Sequence, residues 1–132
     1  MIALRRALAA TTVALLVACK GSTGPVAGTL TVNLTTPNSG SDGALVLVLS
    51  SPVAPISVTP GAGLALWGAP VTTTSARLAL TGTLSTGPML RLQVDDVNKV
   101  GQYSVTLQQV AASGTFSLRP PLLTGYSVAI TK

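Results

Sequence analysis

Apolar residues recur at every second position over much of this chain, and this period restricts the possible folds more than any other feature of the sequence. In 29–35 (TLTVNLT), Leu30, Val32 and Leu34 alternate with threonine and asparagine. The same alternation returns in four later segments, 76–80, 90–94, 103–107 and 126–130. Because successive side chains of a strand point to opposite faces, each segment is predicted to be a strand with one buried face.

Residues that favour turns separate these segments. The run 37–43 (PNSGSDG) is dense in turn-forming residues. The segment that follows, 44–49 (ALVLVL), is continuously apolar, which predicts a central strand covered on both faces.

Shorter strands are predicted elsewhere. Prolines flank 56–58, which restricts it to an edge or irregular strand. Two further short candidates are 64–67 and 115–118. Eight or nine short strands without convincing helical spacing predict an all-β antiparallel β-sandwich, jelly-roll or immunoglobulin-like. The alternative is an outer-membrane β-barrel, but its strands need about 9 to 11 residues and several segments here are shorter.

The N-terminus has a different composition. Met1–Arg6 is cationic, and Ala7–Ala18 is a run of alanine, leucine and valine broken only by two threonines. The run is short for a bilayer-spanning helix, which needs about 20 residues, and is typical of the apolar region of a signal peptide. We therefore predict a cleaved signal-peptide helix at residues 1–18.

The apolar run ends in Leu16-Val17-Ala18-Cys19, which resembles the lipobox of bacterial lipoproteins. The resemblance implies a diacylglycerol on the sulfur of Cys19, cleavage between Ala18 and Cys19, and an N-linked acyl chain such as palmitate. The alternatives are an ordinary signal peptide with a chance cysteine and an uncleaved membrane helix. Cys19 is the only cysteine, so it cannot form an internal disulfide, and acylation accounts for it.

These features predict three parts of the chain: a lipoprotein signal peptide at 1–18, a lipidated cysteine with a flexible tether at 19–27, and a β-sandwich domain at 28–132. The tether after the cysteine reaches about 25 to 29 Å when extended, which keeps the domain near the membrane. Lys20 rather than aspartate follows the cysteine, and the resemblance to Gram-negative lipoproteins then implies the outer membrane. The expected location is the bacterial cell envelope.

The composition excludes several classes of function. Without a histidine, Ser-His-Asp and Cys-His arrangements and histidine zinc sites are impossible. The only acids are Asp42, Asp95 and Asp96, and no motif frames the Ser-Lys pair that the composition still allows. We therefore expect no enzyme and no cofactor or metal apart from the covalent lipid. After cleavage six cationic side chains face three acidic ones, and the cations are scattered singly, so we expect no nucleic-acid partner.

Two candidate sites remain. Asp95, Asp96 and Asn98 offer oxygen atoms to a calcium ion, the alternative being a solvated turn. Trp67, the only tryptophan, lies between residues that break strands. On a loop it could stack on a sugar or anchor a protein partner, and the alternative is that it caps the core.

The order of elements resembles cohesin and carbohydrate-binding-module sandwiches. An opening strand (TLTVNLTT) precedes GALVLVLS, and a Gly-x-Tyr-x-Val-x-Leu strand, Gly101 to Leu107, lies near the C-terminus. The resemblance implies the fold, and no site residues are carried over from it. The sequence as a whole predicts a membrane-tethered, non-enzymatic module that binds an envelope protein or glycan. The alternative is a structural envelope lipoprotein without a specific ligand.

Replacing the predicted lipidation residue tests the location. In Cys19→Ser, the thiol that would carry the diacylglycerol is absent, so we expect the protein to lose its lipid mass and leave the membrane fraction. Mass spectrometry and fractionation measure both. An unchanged mass and distribution would contradict the lipoprotein prediction.

Overall fold

The computed structural model describes residues 24–68 and 73–132, and in these residues the chain forms eight β-strands and one short 3₁₀ helix. The strands are β1 (Gly28–Thr35), β2 (Asp42–Ser50), β3 (Ser57–Pro60), β4 (Ala65–Trp67), β5 (Ser75–Leu84), β6 (Gly87–Val94), β7 (Ser104–Ala112) and β8 (Ser127–Thr131). The 3₁₀ helix, Val97–Gln102, lies between β6 and β7.

The strands form two four-stranded sheets, with strand orders β3-β6-β1-β8 and β4-β5-β2-β7. Every ladder is antiparallel. The two sheets enclose one apolar core, so the prediction of an all-β antiparallel sandwich is confirmed.

The core between the sheets is built mainly from leucine. Of the fifteen buried residues in this cluster, ten are leucines and only Tyr103 is aromatic. They come from alternate positions of the strands, for example Leu45, Leu47 and Leu49 of β2. Full burial of one such side chain stabilises the fold by about 1.5 to 3 kcal/mol, so period-two leucines are the main source of stability.

Strand β2 corrects one prediction. The run 44–49 is not covered on both faces: Leu45, Leu47 and Leu49 are buried, whereas Ala44, Val46 and Val48 are only half-buried. The second set lies on the face turned away from the other sheet. The continuous apolar run therefore reflects an apolar outer face, not a second covering layer.

The predicted strand 115–118 is also wrong. The chain turns back on β7 here: the Phe116 amide donates to the Ala112 carbonyl, and the Arg119 amide donates to the Val110 carbonyl. Leu118 makes only an isolated bridge with Ala111. This tight return places Phe116 at a positive φ of 55°, which an extended strand does not adopt.

Different segments of the chain meet at the two ends of the sandwich. At one end, which we call the entry end, the chain enters the domain through Val26. The Val26 amide donates to Asp96 Oδ1 over 3.2 Å, and the Val97 amide donates to the Val26 carbonyl over 2.8 Å. Strand β1 then runs to the opposite end, the distal end, where the turn 36–41 leads into β2.

Among the described residues no helix has the length and apolarity that crossing a bilayer requires.

The core can be tested at Leu47, which is fully buried in β2. Leu47→Ala should lower the free energy of unfolding by about 2 to 5 kcal/mol, because it leaves a cavity between the sheets. Leu122→Ala is the control, since Leu122 is 88% exposed, and we expect a change within about 0.5 kcal/mol. Urea unfolding measures both, and equal effects would contradict this description of the core.

Candidate binding face

Trp67 lies on the outer face of the β4-β5-β2-β7 sheet. Within these strands, the residues between the buried leucines point outward because successive side chains alternate between faces. We call this surface the Trp67 face; its members are Ala65, Trp67, Arg77, Ala79, Thr81, Ala44, Val46, Val48, Thr106, Gln109 and Ala111. The ladder register aligns them in rows across the sheet, one of which contains Trp67, Ala79, Val46 and Gln109.

Trp67 is exposed and its ring is oriented. The side chain is 60% exposed, and its indole Nε1 donates a hydrogen bond of 2.9 Å to Thr81 Oγ1. The core alternative for this residue is therefore wrong. Leu66 is the residue of β4 that packs against the core, so the alternation of the strand turns Trp67 outward.

Small side chains surround the indole. Trp67 pairs with Ala79, and Ala65 lies two positions earlier on the same face of β4. At the far edge of the face, next to β7, Leu118 borders a shallow depression of about 190 Å³ together with Val46 and Ala111. The result is a flat apolar surface with a large side chain at each edge. This surface is the candidate binding face of the domain.

The opposite outer face has a different chemistry. On β1, the outward residues are Thr29, Thr31 and Asn33, and on β8 they include Ser127 and Thr131. Hydroxyl and amide groups of this kind are well solvated in water. The apolar character is therefore specific to the sheet that carries Trp67.

Arg77 supplies the one charge on the Trp67 face. It is exposed and sits two residues before Ala79, diagonal to Trp67 in the β4–β5 ladder. Among the described residues, the only ion pair joins Arg119 to Asp42, so Arg77 has no carboxylate partner. Gly68 follows Trp67 with a φ of +135°, and a Cβ there would lie 3.0 Å from the Arg77 carbonyl oxygen. Only glycine fits this close passage of the chain beside Arg77.

The predicted calcium residues lie at the entry end. Asp96 Oδ1 accepts hydrogen bonds from the amides of Asn98 (3.0 Å) and Val26 (3.2 Å). Asn98 Oδ1 accepts from Lys132 Nζ over 3.4 Å, while Asp95 is exposed. In the described part of the chain, no three histidine, cysteine, aspartate or glutamate residues form a group able to hold a metal ion. Asp96 thus fixes the entry of the chain into the domain, and a calcium role stays a prediction.

Tyr103 is a buried polar residue that the sequence did not single out. Its hydroxyl has no hydrogen-bond partner, and neither does the buried hydroxyl of Ser51. Ser50 pairs with Ser104 in the β2–β7 ladder, which makes Ser51 and Tyr103 neighbours. Burial raises the pKa of Tyr103, and the charges of Asp95 and Asp96 raise it further. The residue therefore stays neutral and belongs to the core.

A buried carboxylate at the distal end was also missed. Asp42 is fully buried, and Arg119 Nε donates to its Oδ1 over 2.9 Å. Thr36 Oγ1 donates to Oδ2 over 2.6 Å, and Tyr126 Oη lies 3.0 Å from both oxygens. The hydrogen bond with Asp42 is the main reason that the pKa of Arg119 is raised. Asn38 Nδ2 completes the network by donating to Tyr126 Oη over 2.9 Å.

An irregularity in β2 aims Asp42 inward. The register shifts between Asp42 and Ala44 in the ladders with both β5 and β7. Gly43 lies at this point, and a Cβ there would be 2.8 Å from the Cα of Ser113. Bulges of this type redirect side chains. Through Arg119, the buried carboxylate holds the chain that carries Leu118 against the edge of the Trp67 face.

No protein-family model matches this chain, and no curated protein or solved structure matches it either. The resemblance to cohesin and carbohydrate-binding-module sandwiches therefore stays a prediction. Ala18 and Cys19, with the rest of 1–23, lie outside the described residues.

The Asp42 network gives a testable stability prediction. Asp42→Asn removes the charge that pairs with Arg119 and leaves a buried group with poorer partners, so we expect unfolding to become easier by about 1 to 3 kcal/mol. Asp95→Asn is the matched control, because Asp95 is exposed, and should change stability by less than about 0.5 kcal/mol. Chemical denaturation compares the two. If Asp42→Asn proved as stable as the control, the network would not hold the distal end together.

Proposed function

We propose that this protein is a non-enzymatic binding module of the bacterial cell envelope, anchored to the membrane by lipid on Cys19, and that it binds its ligand on the Trp67 face. The observation that carries the proposal is the exposed indole of Trp67, oriented by Thr81 on an apolar sheet face.

A tryptophan in this position supports binding rather than packing. Large aromatic side chains supply contact area with few rotatable bonds, and tryptophan is enriched among the residues that dominate binding energies. The hydrogen bond from Nε1 to Thr81 further restricts the ring before any ligand arrives. A ligand that covers the indole then meets a surface that is already ordered, which lowers the entropic cost of binding.

The lipid anchor and the face are compatible in position. The chain enters the domain at Val26, seven residues after the predicted lipidated cysteine. The Trp67 face lies along the side of the sandwich, because Trp67 aligns through Ala79 with Val46, near the middle of β2. A lipid attached near the entry end would therefore leave this side of the domain open to partners in the envelope.

The residue composition supports a role without catalysis. The chain has no histidine, its one cysteine is the proposed lipid carrier, and the described carboxylates of Asp42 and Asp96 are engaged in structural hydrogen bonds. The Trp67 face offers groups that make non-covalent contacts: an aromatic ring, alkyl groups, hydroxyls, an amide and one guanidinium.

Replacing Trp67 separates binding from folding. Trp67→Ala should cost well below the roughly 3 to 5 kcal/mol of a core tryptophan, because the side chain is largely exposed. At the same time it should abolish capture of the partner or glycan from envelope extracts. The full-length protein is used as bait, with a glycan panel beside it.

The control for this experiment is Ile56→Ala. Ile56 is 66% exposed and precedes β3, in the other sheet, so its loss removes exposed apolar surface away from the Trp67 face. We expect the control to capture the same partners as the unaltered protein. Equal capture by Trp67→Ala would contradict the proposal, and no specific capture by the unaltered protein would favour a structural lipoprotein without a ligand.

A further inference from the structure

The charge of Arg77 has no complement within the described chain. Asp42 is buried at the distal end and paired with Arg119. Asp95 and Asp96 follow β6, which belongs to the other sheet. Since no acidic residue shares the face with Arg77, a ligand on that face gains most if it brings its own negative charge.

The central part of the face has room for a small ligand. Four strands at a spacing of about 4.8 Å span about 14 Å, and the three rows from Ala44 to Val48 extend about 13 Å along the strands. These spans join Cα atoms and enclose roughly 200 Å², which accommodates one or two sugar rings.

The chemistry of the face matches a sugar ring. Trp67 offers an exposed indole beside the small side chains of Ala65 and Ala79, so a flat ring can lie against it. One face of a pyranose is made of C–H groups that pack on an aromatic surface. Gln109 and Thr106 lie on β7, about 14 Å across the sheet from β4, where they can hydrogen-bond to the hydroxyl groups of a second ring.

The relative positions of Trp67 and Arg77 indicate where on the ligand the negative charge lies. Diagonal residues on neighbouring antiparallel strands lie about 7 to 8 Å apart. The indole is turned toward Thr81, on the side of Ala79 away from Arg77. The extended side chain of Arg77 therefore meets a ring on Trp67 only at the edge nearest to Arg77. A guanidinium binds a carboxylate through two parallel hydrogen bonds, which a neutral hydroxymethyl group cannot form.

We infer that the Trp67 face binds a carboxylated sugar, a uronic-acid ring within a glycan, with the ring stacked on Trp67 and its carboxylate paired with Arg77. The inference rests on the proposed function, because it names the ligand class of that same face. It adds a role for Arg77 and names a sugar rather than a protein as the ligand.

Matched sugars test the inference with the full-length protein in detergent. The probes are trisaccharides of glucuronic, galacturonic and mannuronic acid, each compared with its methyl ester, which keeps the ring and removes the charge. Calorimetry measures affinity, and the fluorescence of Trp67, the only tryptophan, reports contact at the face. We expect at least one free acid to bind and change the fluorescence, and its ester to bind about tenfold more weakly or worse.

Two arginine variants form the decisive comparison. Arg77→Gln should weaken binding of the free acid about tenfold or more and bring it to the level of the ester. Arg91→Gln removes the same charge from β6, on the outer face of the other sheet, and should leave the affinity unchanged. Equal losses in both variants would mean that only the net charge matters and would overturn the inference.

The remaining outcomes separate this inference from the proposed function. Equal binding of acid and ester, or no binding of any of these acids beside Trp67-dependent capture of a protein, would overturn the inference and leave the proposed function standing. If no Trp67-dependent ligand of any kind is found, both are wrong. Binding that survives Trp67→Ala would place the sugar elsewhere and also overturn the inference.

Discussion

Leucine side chains between the two sheets form the contact on which the rest of the structure depends. With a single buried aromatic residue, the core relies on many medium-sized side chains contributed at every second position. This arrangement also determines the surfaces, because each inward leucine fixes its neighbours outward. On β2 and β4 these outward neighbours are apolar, and they include Val46 and Trp67. The proposed binding face is therefore a direct consequence of how the core is packed.

The buried carboxylate of Asp42 adds long-range order that the core does not provide. Its partners Arg119 and Tyr126 lie 77 and 84 residues further along the chain. The contacts hold the long connection between β7 and β8 against the turn that follows β1. Leu118, next to Arg119, is thereby kept at the border of the Trp67 face. A charge at the distal end thus shapes the edge of a surface that lies along the side of the domain.

Local patterns predicted the strands well, because the alternation of residues such as Leu30 and Leu92 reports directly which side of a strand is buried. Local patterns failed where the burial or hydrogen bonding of a residue depends on residues far away in the sequence. The apolar run of β2 would read the same whether its second face were covered or exposed. Similarly, a tryptophan between residues that break strands can lie either in the core or on the surface. The Asp42 network has no sequence signal at all, since its members are unrelated in spacing and a register shift turns the carboxylate inward.

The exposed Trp67 side chain is the proposed contact point for an envelope ligand, and fluorine NMR of this one side chain tests the proposal. Because the chain has a single tryptophan, 5-fluorotryptophan labels this position alone. The purified protein should give one resonance that is sensitive to solvent, as expected for an indole that is 60% exposed. Addition of unlabelled envelope extract should shift or broaden it. A solvent-protected resonance in the purified protein, or one that the extract leaves unchanged, would contradict a binding role for Trp67.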